Sequence, residues 1–418
     1  MAQAFGQIGL GARLDDAIAE HEAAAHGFLE QLVNAPSLLG QERPAQLVLA
    51  AELERLGFEV SWLDIPDAIA EDPAAGVPPL SYDGRQVLVG RLAGAAPEAG
   101  RSLLLNGHLD VVPAAGPWST PPFTATRIDG WLHGRGAGDM KSGLAMAALA
   151  IEALLSCGRP QGDLTVVGVI EEECTGNGTL ASVRAGVLAD AVVVVEPTDL
   201  QVLTSGVGVL WADVLLPGAP GHAESAPSAV SAIDRIPVVL EALRALSADL
   251  NRGLDAPRYH VNVGQLRAGD WPSTVPGEAE LRVRVGFPTE ITPAAAQERL
   301  RAALVDAAEA DPWLAEHPPV VRASGLRAAG YALADDAELV AAVRAAHADA
   351  HGAPPDVVSI DATTDARFYL NDAGVPALCF GPRTRGMHGV DEAVELASIA
   401  AAARTLGRFM AGWLGVAG

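Results

Sequence analysis

Two histidines and a series of carboxylates stand where a folded chain could gather them. In GHLDVVP, His108 and Asp110 lie two residues apart directly after an apolar run, and extended backbone would turn both side chains to one face. A metal-binding histidine often has its second ring nitrogen held by a carboxylate, a place open to Asp110. The stretch HGRGAGDMKSG flanks Asp139 with glycines between a strand and a helix, where backbone and carboxylate can both approach an ion. Read locally, Asp139 serves equally well as the N-cap of GLAMAALA. Glu171, Glu172 and Glu173 follow the apolar DLTVVGVI, and three like charges there call for cations or solvent. Glu196 ends a run of valines before Pro197, and His388 precedes the last helix in MHGVDE. Taken singly, these residues also read as a surface histidine, a solvated loop and a loop histidine. Together they form a nitrogen and oxygen donor set that suits zinc or cobalt. Lys141, beside Asp139, is the only lysine in the chain, retained by chance or for a local role.

The elements that must position these residues can be read from periodicity. Helical spacing spans about 14–35 and ends at Pro36, and a second helix covers about 44–56. FEVSWLDI, RQVLVGRL and RSLLLNGHLDVV have strand patterns, the last continuously apolar just before Asn106 as in a strand buried on both faces. Strand and helix then alternate to about residue 200, which predicts an α/β fold with a mainly parallel sheet and ligands beyond the carboxyl ends of its strands. After residue 206 the order becomes strand, helix from about 228 to 247, two strands, and helix from about 293 to 309. That order predicts an inserted α+β domain with an antiparallel sheet. The expected division is 1–205 with 323–418 for the first domain and 206–322 for the second.

A length of 418 residues exceeds what one hydrophobic core usually serves, and 50% hydrophobic with 19% charged residues is ordinary for a folded chain. The formal charge of −24 disfavours a nucleic-acid interface and docking on anionic lipid. No apolar run approaches bilayer length, and the first residues lack a basic segment followed by an apolar one. Three cysteines form neither an even set nor a CxxC pair. The expectation is a cytoplasmic protein with neither a membrane nor a nucleic-acid partner.

Five blocks, GHLDVVP, GRGAGDMKSG, EEECTGNGT, VVEPTD and MHGVDE, together resemble the dinuclear metallopeptidase and deacylase family of acetylornithine deacetylase, succinyl-diaminopimelate desuccinylase, aminoacylase and glutamate carboxypeptidase. The resemblance runs over nearly the whole chain. It implies two divalent ions, zinc or cobalt, with Asp139 bridging, His108 and Glu196 completing one site, and Glu173 and His388 the other. It makes Glu172 the general base and Asp110 the residue orienting His108, gives Glu171 a place usually held by aspartate, and makes the Asp139–Met140 peptide cis. The inserted domain becomes a lid and dimerisation surface whose His222 binds substrate in the partner's site, which implies a homodimer. Thr274 stands where relatives carry an asparagine and Gly286 where they carry a substrate-binding arginine. Arg284, on the same strand face, is its substitute, and Arg367 in TTDARF matches a second substrate-binding arginine. The implied activity is hydrolysis of an amide bond in a small N-acylated amino acid or amine. A dipeptidase or carboxypeptidase is the alternative. A catalytically silent binding protein would have lost a ligand or the base, and none is missing.

Overall fold

The structure is a computed structural model that describes residues 2–98 and 100–416. The first helix, α1 (Ala2–Asn34), buries Leu14, Ile18, Ala25, Leu29 and Leu32 along one face against α3 (Ser142–Cys157) and the C-terminal helix Leu396–Leu414. Between them in sequence, α2 (Arg43–Arg55) starts with a proline in its first turn and buries Ala45, Leu49 and Leu53. Helix α3 is apolar on nearly all of its surface because nearly all of it is enclosed, with only Glu152, Leu155 and Ser156 near its C-terminal end reaching toward solvent. With the turn before it, Ala137–Cys157 is long and apolar enough to cross a membrane, which corrects the reading that no run approaches that length. Its hydropathy is that of a core helix, 83% of the apolar window being buried inside the protein.

These helices and α4 (Asn177–Arg184) accompany a nine-stranded sheet. Strands β1 (Glu59–Asp64) and β2 (Gln86–Leu92) form an antiparallel edge. Next come Leu164–Val169, β3 (Leu103–His108), Val192–Val194 and Ala377–Cys379, mutually parallel, and then Val202–Gly206 and Tyr331–Ala332, which are antiparallel again. Val357–Ile360 pairs in parallel with Val202–Gly206. The sheet is therefore parallel at its centre, where β3 and Val192–Val194 are buried on both faces. A small antiparallel sheet, Thr126–Ile128, Trp131–His133, Ala393–Glu395 and Thr384–Arg385, lies beside it and frames the segments bearing Asp139 and His388.

A separate four-stranded antiparallel sheet, in the order Val261–Ala268, Glu278–Phe287, Gly208–Pro217 and Val320–Ala328, packs with α5 (Ile236–Leu250) and α6 (Pro293–Ala308) around a core of its own. Two readings of this region need correction. The helix placed from 228 begins at Ile236, because Val230 is extended in a bridge with Ala219 and Pro237 occupies the first helical turn. The return placed at 323 comes later, since Val320–Ala328 remains paired with Gly208–Pro217 across a bulge between Ser324 and Arg327. The proline-rich segment between β1 and β2 reaches this second sheet, Val77 N donating to Gly325 O at 2.8 Å.

Candidate metal centre

Three strands of the parallel region deliver donors at their carboxyl ends. His108 closes β3, Glu171–Glu173 follow Leu164–Val169, and Glu196 follows Val192–Val194. Asp139 sits in the turn Ala137–Lys141 before α3, with non-helical backbone at φ −110° and ψ 101° and a cis peptide to Met140. Close packing places that turn: a Cβ on Gly143 would lie 1.6 Å from the Val195 carbonyl oxygen, so only glycine lets the start of α3 abut the chain between strand Val192–Val194 and Glu196.

Asp139 divides the donors into two groups. Its Oδ1 lies 3.0 Å from His108 Nε2, which is 3.9 Å from Glu196 Oε1. Its Oδ2 lies 3.3 Å from His388 Nε2, itself 3.0 Å from Glu173 Oε2. The five side chains read from the sequence as ligands thus come together around one carboxylate. Donor atoms of His108, Asp139 and Glu173 lie within 4.8 Å of one another, close enough to share an ion.

Asp110 orients this group differently from the expectation. The His108 ring nitrogen Nδ1 lies 2.9 Å from the Asp110 backbone carbonyl oxygen and 3.7 Å from its carboxylate. A carbonyl only accepts, so Nδ1 carries a proton, and Nε2 is the ring nitrogen turned toward Asp139. The Asp110 carboxylate accepts instead from the backbone N–H groups of Glu172 and Glu173, at 3.2 and 3.1 Å. One residue therefore holds both the histidine and the Glu172–Glu173 loop.

The electrostatics favour a cation. Burial, together with the charges of Asp139 and Glu173, pushes Glu196 up to about 8 despite His108 nearby. Burial pushes Asp110 up to about 7, and burial with the Asp365 charge raises Glu172 well above the usual carboxylate range. Against its burial, Asp139 is held low by hydrogen bonds from His108 and His388. Burial opposes the His108 imidazolium, but the Asp139 hydrogen bond and the Glu196 and Asp110 charges overcome it. Hydrogen bonds to Asp139 and Glu173 lift His388 to about 11. Dehydrated carboxylates crowded around imidazole nitrogens form a site that a divalent ion would neutralise, and the residues fit one.

The remaining residues read from the sequence lie around or away from this cluster. Glu171 is fully buried at φ 66° and accepts from Tyr82 Oη and Thr175 Oγ1, both at 2.7 Å, while pairing with Arg85. It braces the Glu172–Glu173 loop from behind. Lys141 is buried and donates to Leu32 O at 2.8 Å and Ala35 O at 3.0 Å, and burial lowers it to about 7. Its local role is to cap the end of α1, which has no basic residue in its last turn. Arg284 donates to the carbonyls of His260 and Asp361, at 3.1 and 3.0 Å. Arg367 is buried, donates to Thr364 O and Thr175 O, and stacks on Phe368. His222 is exposed on Gly221–His222, opposite Thr274, and none of its hydrogen bonds among the described residues reaches the cluster. Asp365 was not singled out in the sequence. It is fully buried, accepts from Thr179 Oγ1 at 2.5 Å, and is the strongest charge acting on Glu172. Its only sequence signal is its place two residues before Arg367.

A profile described as peptidase family M20/M25/M40 matches residues 104–412, the span containing every donor above. The chain belongs to this family. It is a metal-dependent hydrolase of amide bonds, and the cluster around Asp139 is a fitting site for the metal. The chain is 30% identical over 402 residues to a succinyl-diaminopimelate desuccinylase of Variovorax paradoxus, covering 88% of this chain and 93% of that one. It is 27% identical over 396 residues to an N-formyl-4-amino-5-aminomethyl-2-methylpyrimidine deformylase of Halalkalibacterium halodurans, covering 88% of each. The dipeptidase Dug1p of Saccharomyces cerevisiae shares the fold, with a TM-score of 0.76 at 15% identity over 96% of this chain and 98% of that one.

Proposed function

We propose that the protein is an N-deacylase that holds two divalent ions, zinc with cobalt as a working substitute, and acts as a cytoplasmic homodimer. The observation that carries the two-ion reading is the division at Asp139, with His108 and Glu196 on one oxygen and His388 and Glu173 on the other. Bound there, divalent ions supply a Lewis acid for the amide carbonyl and make a nearby water more acidic. Glu172 takes the proton of the attacking water and passes it to the leaving nitrogen, a task suited to a buried carboxyl whose proton affinity is raised. Asp110 keeps Glu172 in place through its backbone, and Asp139 and Glu173 orient His388.

The arginines support one substrate class. Gly286 provides no cation, both terminal nitrogens of Arg284 are engaged with carbonyl groups, and Arg367 is buried among backbone acceptors. This supports an acylated amine without an α-carboxylate over a dipeptide, and the relative named as a deformylase acts, by its name, on such a formylated aminomethylpyrimidine. The exposed His222 lies outside its own chain's cluster, which supports its delivery to the site of a partner. The deciding experiment is a panel of N-formyl, N-acetyl, N-succinyl and N-carbamoyl amines, amino acids and dipeptides assayed with added zinc or cobalt. Release of acid from an acylated amine at a higher kcat/KM than from any dipeptide is expected. Turnover of dipeptides alone would refute the assignment.

A further inference from the structure

Asp139 and His388 come from segments far apart in sequence, and one buried ion pair joins their backbones. Glu392 is 0% and Arg135 1% exposed. Glu392 Oε1 accepts from Gly138 N at 2.8 Å and Asp139 N at 2.9 Å, while Oε2 pairs with Arg135 Nη1. Arg135 Nη2 donates to Gly389 O at 2.9 Å, the carbonyl directly after His388, and more weakly to Pro113 O at 3.3 Å. The Glu392 carboxylate therefore holds the turn that aims Asp139, and the Arg135 guanidinium holds the loop that aims His388.

The local backbone shows why both loops need holding. A Cβ on Gly138 would lie 3.2 Å from Glu392 Oε1, a tight approach that glycine relieves. His388 and Asp391 adopt φ values of 61° and 57° without being glycine, a conformation that persists only where surroundings enforce it. Asp391 is fastened to Ser119 through its backbone N–H and hydroxyl, at 2.7 and 2.8 Å, and Arg135 fastens the other side. Burying an ion pair is costly unless its remaining hydrogen-bonding groups are used, and here Glu392 Oε1 and Arg135 Nη2 are spent on the two donor-bearing segments, while Arg135 Nε has no partner among the described residues. The pair is internally neutral, so it adds no net charge beside the carboxylates.

We propose that Arg135 and Glu392 are positioning residues that set the metal affinity of the site by fixing Asp139 and His388 at their mutual distance. This rests on the reading of Asp139 and His388 as ligands. Glu392→Gln keeps the shape, but its amide NH2 must face either Arg135 or the N–H groups of Gly138 and Asp139, donor to donor either way. Arg135→Lys keeps the charge, but one ammonium cannot serve both Glu392 and the Gly389 carbonyl in the forked geometry.

The test is zinc affinity of the full-length protein, measured by chelator competition, with thermal unfolding of the metal-free form as the check on folding. Glu392→Gln is expected to weaken zinc binding by about 10–100-fold and Arg135→Lys by about tenfold, each still unfolding cooperatively. The double variant should bind no more weakly than Glu392→Gln alone, because the two residues act as one unit. In cobalt-loaded protein the visible absorption should change in both single variants, a signature that a purely structural role would leave in place. Folded variants with wild-type zinc affinity and an unchanged cobalt spectrum would overturn the proposal. If Glu392→Gln does not fold, Arg135→Lys decides it alone by the same criterion. If wild type and Asp139→Asn hold zinc equally, the ligand reading itself falls and this proposal falls with it.

Discussion

Glu172→Gln isolates chemistry from metal binding. The side chain is buried and makes no hydrogen bond among the described residues, while its backbone N–H is held by Asp110 at 3.2 Å. The amide is isosteric, so neither the loop nor the five donors should move. What disappears is a proton acceptor. General-base catalysis typically contributes about 10²–10⁴-fold, which at about 1.36 kcal/mol per tenfold corresponds to roughly 2.7–5.5 kcal/mol of transition-state stabilisation. Stability should not fall, because burial and the Asp365 charge already disfavour an ionised carboxylate at this position. The assay is initial-rate hydrolysis of the best acylated substrate, with metal content by elemental analysis and stability by urea unfolding on the same preparation. A kcat reduced by at least about 10²-fold, with wild-type metal content and an unchanged urea midpoint, is expected. Activity within tenfold of wild type at full metal content would show that another group takes the proton.

Asp139→Ala removes the carboxylate that faces both histidines, so metal and activity should be lost together; two ions retained per chain would contradict a bridging role. Exhaustive chelation should abolish turnover and lower the unfolding temperature, and zinc restored to about 100 times its dissociation constant should return about 2.7 kcal/mol of stability, read by thermal unfolding. Tyr82→Phe deletes the hydroxyl shared by Glu171 and Asn177, at 2.7 and 2.8 Å, and should cost about 1–3 kcal/mol in urea unfolding. An unchanged midpoint would show that Arg85 and Thr175 suffice to satisfy Glu171. Mixing His222→Ala with Glu172→Gln should restore part of the activity if each site takes its histidine from the partner, and demonstrated subunit exchange without recovery would place His222 in its own chain's site or in none.

The strand ends were legible because two independent sequence signals coincide there. A continuous apolar run predicts a strand buried on both faces, and the first charged residue after it marks the carboxyl end. His108, Glu171–Glu173 and Glu196 satisfy both conditions, and the parallel centre of the sheet brings those ends to one rim. Helix boundaries were legible where proline or packing sets them, as at Pro36, and failed at 228, where a bridge to Ala219 overrides helical spacing. Residues 323–328 were illegible for a related reason: the strand carries arginines, serine and a glycine across a bulge, and its pairing partner lies more than a hundred residues upstream.

Hydrogen-bond partners were harder to read than positions, for one reason. Asp110 was given the His108 ring for its carboxylate, Arg284 a substrate carboxylate, and the segment containing Glu392 a single metal ligand. In each case the partner is a backbone group, whose identity does not register in a pattern of side chains: the Asp110 carbonyl, the carbonyls of His260 and Asp361, and the N–H groups of Gly138 and Asp139. Buried charge must find such partners wherever the fold exposes an unpaired backbone group, and tight turns expose several at once. A sequence therefore announces the donors that meet an ion more readily than the residues that aim them. In this chain the aiming residues are legible only as charges that have no place in a core, Arg135 and Glu392 among them, and that is the mark by which the geometry around Asp139 distinguishes them.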